Sequence, residues 1–367
     1  MTEQKILLIF LSQFDLTVSK ITKILNYLGE EQSLKGFKKA KFPEDILKRE
    51  QKEKMLSSAE EELVKTYVVN LADRGIKIVS KFEKEFPQKL YYFDDCPYLL
   101  YYMGDISLAN KPSISIVGTR KPSSYGYMVT EKLTKELAQA GIVIISGLAY
   151  GVDTIAHRKC LEVGGKTIAV LGGGFDHIYP AEHIGLAKEI AEKGLLLSEF
   201  RPKYSATKYS FPQRNRIIAG LGDGTLVTEA SIKSGTIHTK DFALDYGKEL
   251  YAVPGNIDSP LSELTNQIIT TGQGRGVAKG DDILPDYYAK LKNLENLENK
   301  KGRANIDTSD LLGDEKIIVD ILKQGMISIE ELTKIANIRA QSLNTCLTTL
   351  EIRGLINRVP GGMIALA

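Results

Sequence analysis

The stretch Ser113-Ile-Ser-Ile-Val117, followed at once by Gly118-Thr119-Arg120, decides how the chain is read. Three β-branched residues in five, with small serines between them and a glycine after, describe a buried strand that ends in a tight turn. Runs of the same kind follow at Ile142-Val-Ile-Ile145, Thr167-Ile-Ala-Val-Leu171, Leu195-Leu-Leu197, Thr225-Leu-Val-Thr228 and Glu249-Leu-Tyr-Ala-Val253. They lack a polar face, which predicts strands covered on both sides. Between the first two, Val129, Leu133, Leu137 and Ala140 recur at spacings of three and four, the stripe of a helix lying on a sheet. Strand then helix, repeated, predicts an α/β domain with a parallel sheet. Glycine marks its extent, since 23 of the 32 lie between Gly104 and Gly280, at the ends of these runs.

Outside this core the pattern changes. Lys and Glu are dense between Glu30 and Glu62, and Ile21, Ile24, Leu25 and Leu28 carry helical spacing, which predicts a small helical domain over residues 1–80. Residues 81–105 are rich in Tyr and Phe and are expected to pack on the central sheet, within a core domain spanning 81–286. Residues 287–308 carry little bulky apolar material after Leu297 and read as a solvated linker. Within 309–367, Glu315–Leu322, Ser328–Ile335 and Ser342–Gly354 read as helices, and Leu355–Met363, centred on Pro360-Gly361-Gly362, as a hairpin. That combination predicts a winged helix. Six basic against seven acidic residues from Asp310 to Ala367 lack the positive surface of a duplex reader, which favours a partner-binding or structural wing.

With 43% apolar and 26% charged residues, the 367-residue chain is neither disordered nor fibrous. Its 48 basic and 46 acidic residues nearly cancel, so any polyanion site must come from local clustering. Cys96, Cys160 and Cys346 are widely spaced and lack His partners at ligand spacing, so a reducing, cytoplasmic setting and no metal are expected. The apolar run Ile6–Leu11 is too short for a signal peptide, and no stretch approaches the roughly 18 apolar residues of a membrane span. No membrane partner is expected.

Ligands of open α/β sheets bind at the carboxyl ends of the strands, where several segments here are small or basic. Gly118-Thr119-Arg120 suits an anion at a helix start, although Gly118 could equally serve only the turn. Ser146-Gly147-Leu148-Ala149-Tyr150-Gly151 allows close approach of a ligand. From Phe200 to Gly222, Arg201, Lys203, Lys208, Arg214 and Arg216 occur without an acidic residue, interleaved with Phe200, Tyr204, Tyr209 and Phe211. Cations for phosphates and ring faces for unstacked bases suit single-stranded nucleic acid; the plainer alternative is a solvated loop with its rings turned inward. Gly222-Asp-Gly-Thr-Leu-Val-Thr-Glu229 and Ser234-Gly235-Thr236 complete the crevice. Neither GxxxxGK[ST] nor GxGxxG occurs, so ATP and NAD lose support and no cofactor is expected. Asp153 and His157, one turn apart, could be half of a metal site or an acid/base pair, but a carboxylate near a helix start more simply caps N–H groups, and no second ligand pair is evident. His177, His183 and His238 are isolated, and no nucleophilic triad stands out.

Taken in order, Ser115-Ile-Val-Gly-Thr-Arg120, Ser146-Gly-Leu-Ala-Tyr-Gly-Val-Asp153 with Ala156-His157, Ala169-Val-Leu-Gly-Gly-Gly174 with Tyr179-Pro180, Phe211-Pro-Gln-Arg-Asn-Arg-Ile-Ile-Ala-Gly-Leu221, Ser234-Gly235 and Ala252-Val-Pro-Gly255 resemble the DprA (DNA-processing protein A, or Smf) family. The likeness covers about Phe86 to Leu284. It implies a Rossmann-like core, flanked by a SAM-like helical domain and a winged helix, that binds single-stranded DNA, forms a homodimer and loads RecA recombinase in natural transformation, without catalysis. Carried over to this sequence, the DNA-binding residues would be Gly118, Thr119, Arg120, Gly147, Lys208, Phe211 as a stacking ring, Arg214 and Arg216 for phosphates, and Asn215 for polar contacts. Thr236-Ile-His-Thr-Lys240 departs from the family's small residues, and Lys240 would add a phosphate contact. Ser262–Gly276 also departs, and the amino-terminal helices lack a helix-hairpin-helix glycine pair near Leu16–Val18, so they are not assigned to DNA. A competing reading is a nucleoside monophosphate phosphoribohydrolase, because Gly222-Asp-Gly-Thr225 and Glu229 are similar to its PGGxGT-to-Glu signature, with the leading Pro-Gly-Gly missing.

Overall fold

The computed structural model describes residues 1–91, 93–291, 311, 313–322, 327–336, 338, 340–353, 355–359 and 363–366. They belong to two compact units, Met1–Tyr288 and Ala289–Ala367. The first opens with helices α1 (Glu3–Leu11), α2 (Val18–Leu28), α3 (Leu34–Lys39), α4 (Arg49–Leu56) and α5 (Glu61–Asp73), followed by strands β1 (Lys77–Ser80) and β2 (Leu99–Gly104). Thr2 and Thr17 cap α1 and α2 by accepting from the Lys5 and Lys20 N–H groups. Ile6–Leu11 is buried along its whole length because residues of α2, α3, α5 and β2 close one core around it. Leu99 and Tyr101 of β2 lie in that core, so the helices and the sheet share an interior. The Tyr/Phe-rich segment thus does more than pack on the sheet: its β2 joins it as a strand.

The core continues as β3 (Ser113–Val117), α6 (Ser124–Gln139), β4 (Val143–Ser146), α7 (Val152–Glu162), β5 (Thr167–Val170), α8 (Ile184–Lys193), β6 (Leu195–Ser198), α9 (Ser210–Leu221), β7 (Gly224–Val227), α10 (Thr236–Asp245), β8 (Glu249–Ala252), α11 (Glu263–Thr270) and β9 (Arg275–Gly276). All six strands expected from sequence form to within a residue of their ends, and α6 buries Val129, Leu133 and Leu137 as its spacing predicts. Among the described residues the sheet runs β1-β2-β6-β5-β4-β3-β7-β8-β9. From β6 to β9 every pair is parallel, while β1–β2 and β2–β6 are antiparallel. Right-handed crossovers put α6, α7 and α8 on one face and α9, α10 and α11 on the other, because the chain steps leftward from β3 to β6 and rightward from β7 to β9.

The serines of β3 earn their buried places by hydrogen bonding. Ser113 Oγ donates to the Leu221 carbonyl at 3.0 Å and Ser115 Oγ to that of Ile218 at 2.7 Å. Both carbonyls belong to the last turn of α9, where that of Ile218 also accepts from the Gly222 N–H at 3.3 Å. This pins α9 against the centre of the sheet.

In the second unit, α12 (Asp314–Leu322), β10 (Ile327–Ser328), α13 (Ile329–Ala336), α14 (Ala340–Ile352), β11 (Ile356–Val359) and β12 (Met363–Leu366) form the three helices and hairpin of a winged helix. β10, unforeseen in the sequence, pairs with β12 to complete a sheet in the order β10-β12-β11. Ile318, Val319, Leu322, Leu347, Leu350, Ile356 and Ile364 close its core. Residues 292–308 of the expected linker, and the Pro360-Gly361-Gly362 turn, lie outside the described residues. No helix among the described residues is long and apolar enough to cross a membrane.

Candidate nucleic-acid interface

β3 and β7 are neighbours, yet the chain leaves them towards opposite edges of the sheet. Their carboxyl ends therefore open a crevice, here of about 570 Å³. At its rim Gly118 brings three segments together: a Cβ there would stand 2.6 Å from Val152 Cγ2 and 2.7 Å from the Glu229 carbonyl oxygen. The Thr119 N–H donates to that carbonyl at 2.7 Å, and the Val152 N–H donates to the Thr119 carbonyl at 3.2 Å. With the turn fixed on both sides, Arg120 projects as an exposed side chain.

The Arg120 guanidinium carbon lies 5.5 Å from the centre of the Phe211 ring, a cation–π distance. Phe211, in the first turn of α9, is half-buried: a Cβ on Gly172 would come within 2.7 Å of the ring, and Tyr179 sits 5.6 Å away, centre to centre. A planar cation beside a partly open ring is the combination that holds a phosphate and its base.

Beneath them lies Arg214, only 4% exposed. Its Nη1 donates to the Gly147 and Val170 carbonyls and its Nε to Asn215 Oδ1 at 3.1 Å. A side chain on Gly147 would overlap the guanidinium, which is why the turn after β4 needs a glycine there. Asp153, on the first turn of α7, accepts from the Gly147 N–H at 3.0 Å and the Ala149 N–H at 3.3 Å. It therefore caps amides of the preceding loop in place of those of its own helix. Burial pushes the Asp153 carboxyl up, opposed first by the charge of Arg214 and then by these N–H donors. Burial likewise brings Arg214 down to about 10, with Asp153 opposing, so it stays cationic at neutral pH.

The other titratable candidates are engaged elsewhere. His157 Nδ1 lies 2.7 Å from Thr167 Oγ1, whose own proton goes to the Ile144 carbonyl, so the ring donates from Nδ1. Its Nε2 is buried without a partner among the described residues, and burial holds the imidazole down at about 3. Glu229 accepts from the N–H and the hydroxyl of Ser123, at 2.8 and 2.7 Å, at the amino end of α6.

Of the ten residues expected at the site, Gly118, Thr119, Arg120, Phe211, Arg214 and Asn215 line the crevice, and Gly147 lies against Arg214 below it. Lys208 is exposed on the loop before Phe211, its Nζ 5.0 Å from the centre of the Tyr209 ring. The remaining two are placed elsewhere. Arg216 follows Arg214 by two residues, about 200° around the helix, and donates to both Glu199 carboxylate oxygens at 2.5 Å. Lys240, 9% exposed, pairs with Asp241 at 2.7 Å. Sequence reasoning did not place Lys121, Ser231 and His238 in the crevice, or Tyr179 beside it. Lys121 could have been found as the neighbour of Arg120, whereas Tyr179, quoted with Pro180 among the family motifs, carried no cue to its place beside Phe211.

A family model described as DNA recombination-mediator protein A matches residues 77–288, and one described as the DprA winged helix domain matches residues 304–362. The chain is 40% identical over 215 residues to the DNA processing protein DprA of Bacillus subtilis (strain 168), covering 58% of this chain and 72% of the relative. The X-ray structure of DNA processing protein A from Streptococcus pneumoniae is similar at a TM-score of 0.67 and 31% identity, covering 78% of this chain and 98% of that one. A structure of DNA processing protein A from Helicobacter pylori, described for its single-stranded DNA binding mode, is similar at a TM-score of 0.52 and 33% identity, covering 57% and 94%.

Proposed function

The chain belongs to the DNA recombination-mediator protein A family, and from that premise we propose that the crevice between β3 and β7 binds single-stranded DNA. The observation that carries this reading is Arg120 standing over Phe211 at the sheet's switch point. Arg120 and Lys121 supply charge at the rim, Lys208 supplies it on the loop leading to the ring, and Arg214 makes the floor positive. The relative from Helicobacter pylori, whose structure concerns single-stranded DNA binding, supports the same choice of ligand.

The protein acts, in this proposal, as a cytoplasmic homodimer that passes the bound strand to RecA recombinase during natural transformation. It works as a binding protein without catalysis or cofactor. Both carboxylates near the crevice are held by N–H or hydroxyl donors, an arrangement suited to shaping loops more than to moving protons.

Fluorescence anisotropy with labelled single- and double-stranded oligonucleotides over a range of salt tests the reading. Four neutralised phosphates give a slope of log affinity against log salt near about −3, at roughly 0.7 per contact. Arg120→Ala lowers that slope by about one contact, whereas Phe211→Ala removes about 1–3 kcal/mol of stacking and leaves the slope alone. Preference for the duplex, or unchanged binding in both variants, would refute the site. Acceleration of RecA filament growth on a strand precoated with another binding protein tests the mediator role, and no acceleration would end it.

A further inference from the structure

A second cationic cavity lies where the amino-terminal helices meet the loop after β6. It has a volume of about 340 Å³ and is lined by Arg74, Arg201 and Lys203 together with Gln13, Tyr67 and Asn70. Among the described residues no carboxylate lines it. Arg201 pairs with Asp15 at 3.1 Å and Arg74 with Asp176, but every partner in these two bridges is at least partly exposed, and ion pairs so placed hold weakly against a competing anion. Lys203 is exposed and has no ion pair among the described residues. The half-buried Tyr67 ring and the exposed Asn70 amide add a π face and a neutral donor, which a phosphate alone does not require but a nucleotide can use.

The cavity and the crevice are joined by chain that is held in place. The loop from Glu199 to Tyr209 connects Arg201 and Lys203 to Phe211, and it is fastened to the loop after β5. The Gly174 N–H donates to the Tyr204 carbonyl at 2.8 Å and the Asp176 N–H to that of Pro202 at 2.9 Å. Ser198 and Ser210 hydroxyls donate to the Gly173 and Gly172 carbonyls, at 2.8 and 2.6 Å. Exposed Lys208 and Tyr209, the latter 74% exposed, lie between the two ends. β3 and β6 are three strand spacings apart, about 15 Å, so the two sites lie along one edge of the sheet.

We propose that this cavity is a second contact for single-stranded DNA, engaging phosphates of the strand as it leaves the crevice along the carboxyl edge of the sheet and reaches the amino-terminal helices. The proposal rests on the crevice reading above, and it gives those helices a role in the footprint that their sequence did not suggest.

The test uses the full chain and thymidine oligomers of about 6 and about 15 nucleotides, within the range of site sizes known for single-strand binders. Lys203→Glu is expected to leave the short oligomer's affinity within twofold, to weaken the long one about three- to tenfold, and to reduce the long oligomer's salt slope by about 0.7 or more. Lys203→Arg should restore the long-oligomer affinity, and a melting temperature equal to the unsubstituted chain's confirms that an exposed substitution has not disturbed the fold. Equal weakening of both oligomers, or no weakening of the long one, would overturn the second contact while leaving the crevice standing. Absence of binding by the unsubstituted chain to either oligomer would overturn the crevice reading and the extension with it.

Discussion

Replacing Arg214 with Met removes a buried charge whose surroundings are known atom by atom. The Gly147 and Val170 carbonyls lose their Nη1 donor, and Asp153 loses the cation that opposes its burial. Arg214 and Asp153 share no ion pair among the described residues, so the cost is that of leaving buried acceptors without their donor, about 1–3 kcal/mol. Asp153 keeps its bonds from the Gly147 and Ala149 N–H groups, so about 2–3 kcal/mol is expected. The loss should also depend on pH. Without Arg214 the Asp153 carboxyl is raised further in the folded state, above its unfolded value, and a carboxyl so raised destabilises the fold only while ionised. The deficit relative to the unsubstituted protein is therefore greatest near pH 8 and shrinks as pH falls through the folded pKa. Relief of the Arg214 charge on His157 acts in the same direction. Urea unfolding followed by tyrosine fluorescence measures this cleanly, because all 17 tyrosines lie between Tyr27 and Tyr288 and there is no tryptophan. A deficit below about 1 kcal/mol at pH 8 would refute Arg214 as the donor to these buried carbonyls, and a deficit constant from pH 8 to pH 5 would refute its electrostatic influence on Asp153.

Two other substitutions separate packing from binding. Arg216→Ala strands the Glu199 carboxylate and should cost about 3–5 kcal/mol in urea unfolding while leaving the salt slope of DNA binding unchanged; a smaller slope would return Arg216 to the site. The His157 imidazole, brought from 6.5 down to about 3 by burial, contributes stability that is fully present above pH 6.5 and is lost as pH falls towards 3. About 2 kcal/mol should be gone at pH 5. His157→Gln cannot titrate, so its stability should fall less between pH 7 and pH 5, and parallel curves for the two proteins would show that the imidazole is not held neutral.

The strands were legible because buried parallel strands require β-branched runs, and tight turns after them require glycine; both are local demands that residues 113–253 meet repeatedly. β2 was not, since Leu99–Gly104 acquires its partner β6 only through pairing across some ninety residues, and its aromatic side chains signal packing as readily as strand. The site shows the same limit in its charges. The window Phe200–Gly222 contains five cations and no acid, yet its Arg216 meets Glu199, one residue outside the window, and its Arg201 meets Asp15, 186 residues away. Arg214 and Arg216 have identical chemistry and nearly identical positions in the sequence, and the phase of α9 sends one under the crevice and the other to a carboxylate. In a sheet whose loops converge from distant parts of the chain, ion pairs form between segments, so local charge density counts cations without telling which remain available. The cations that keep their charge facing solvent are instead Arg120 and Lys121 after β3 and Lys203 and Lys208 on the loop before α9, and these are the ones open to the proposed phosphate contacts.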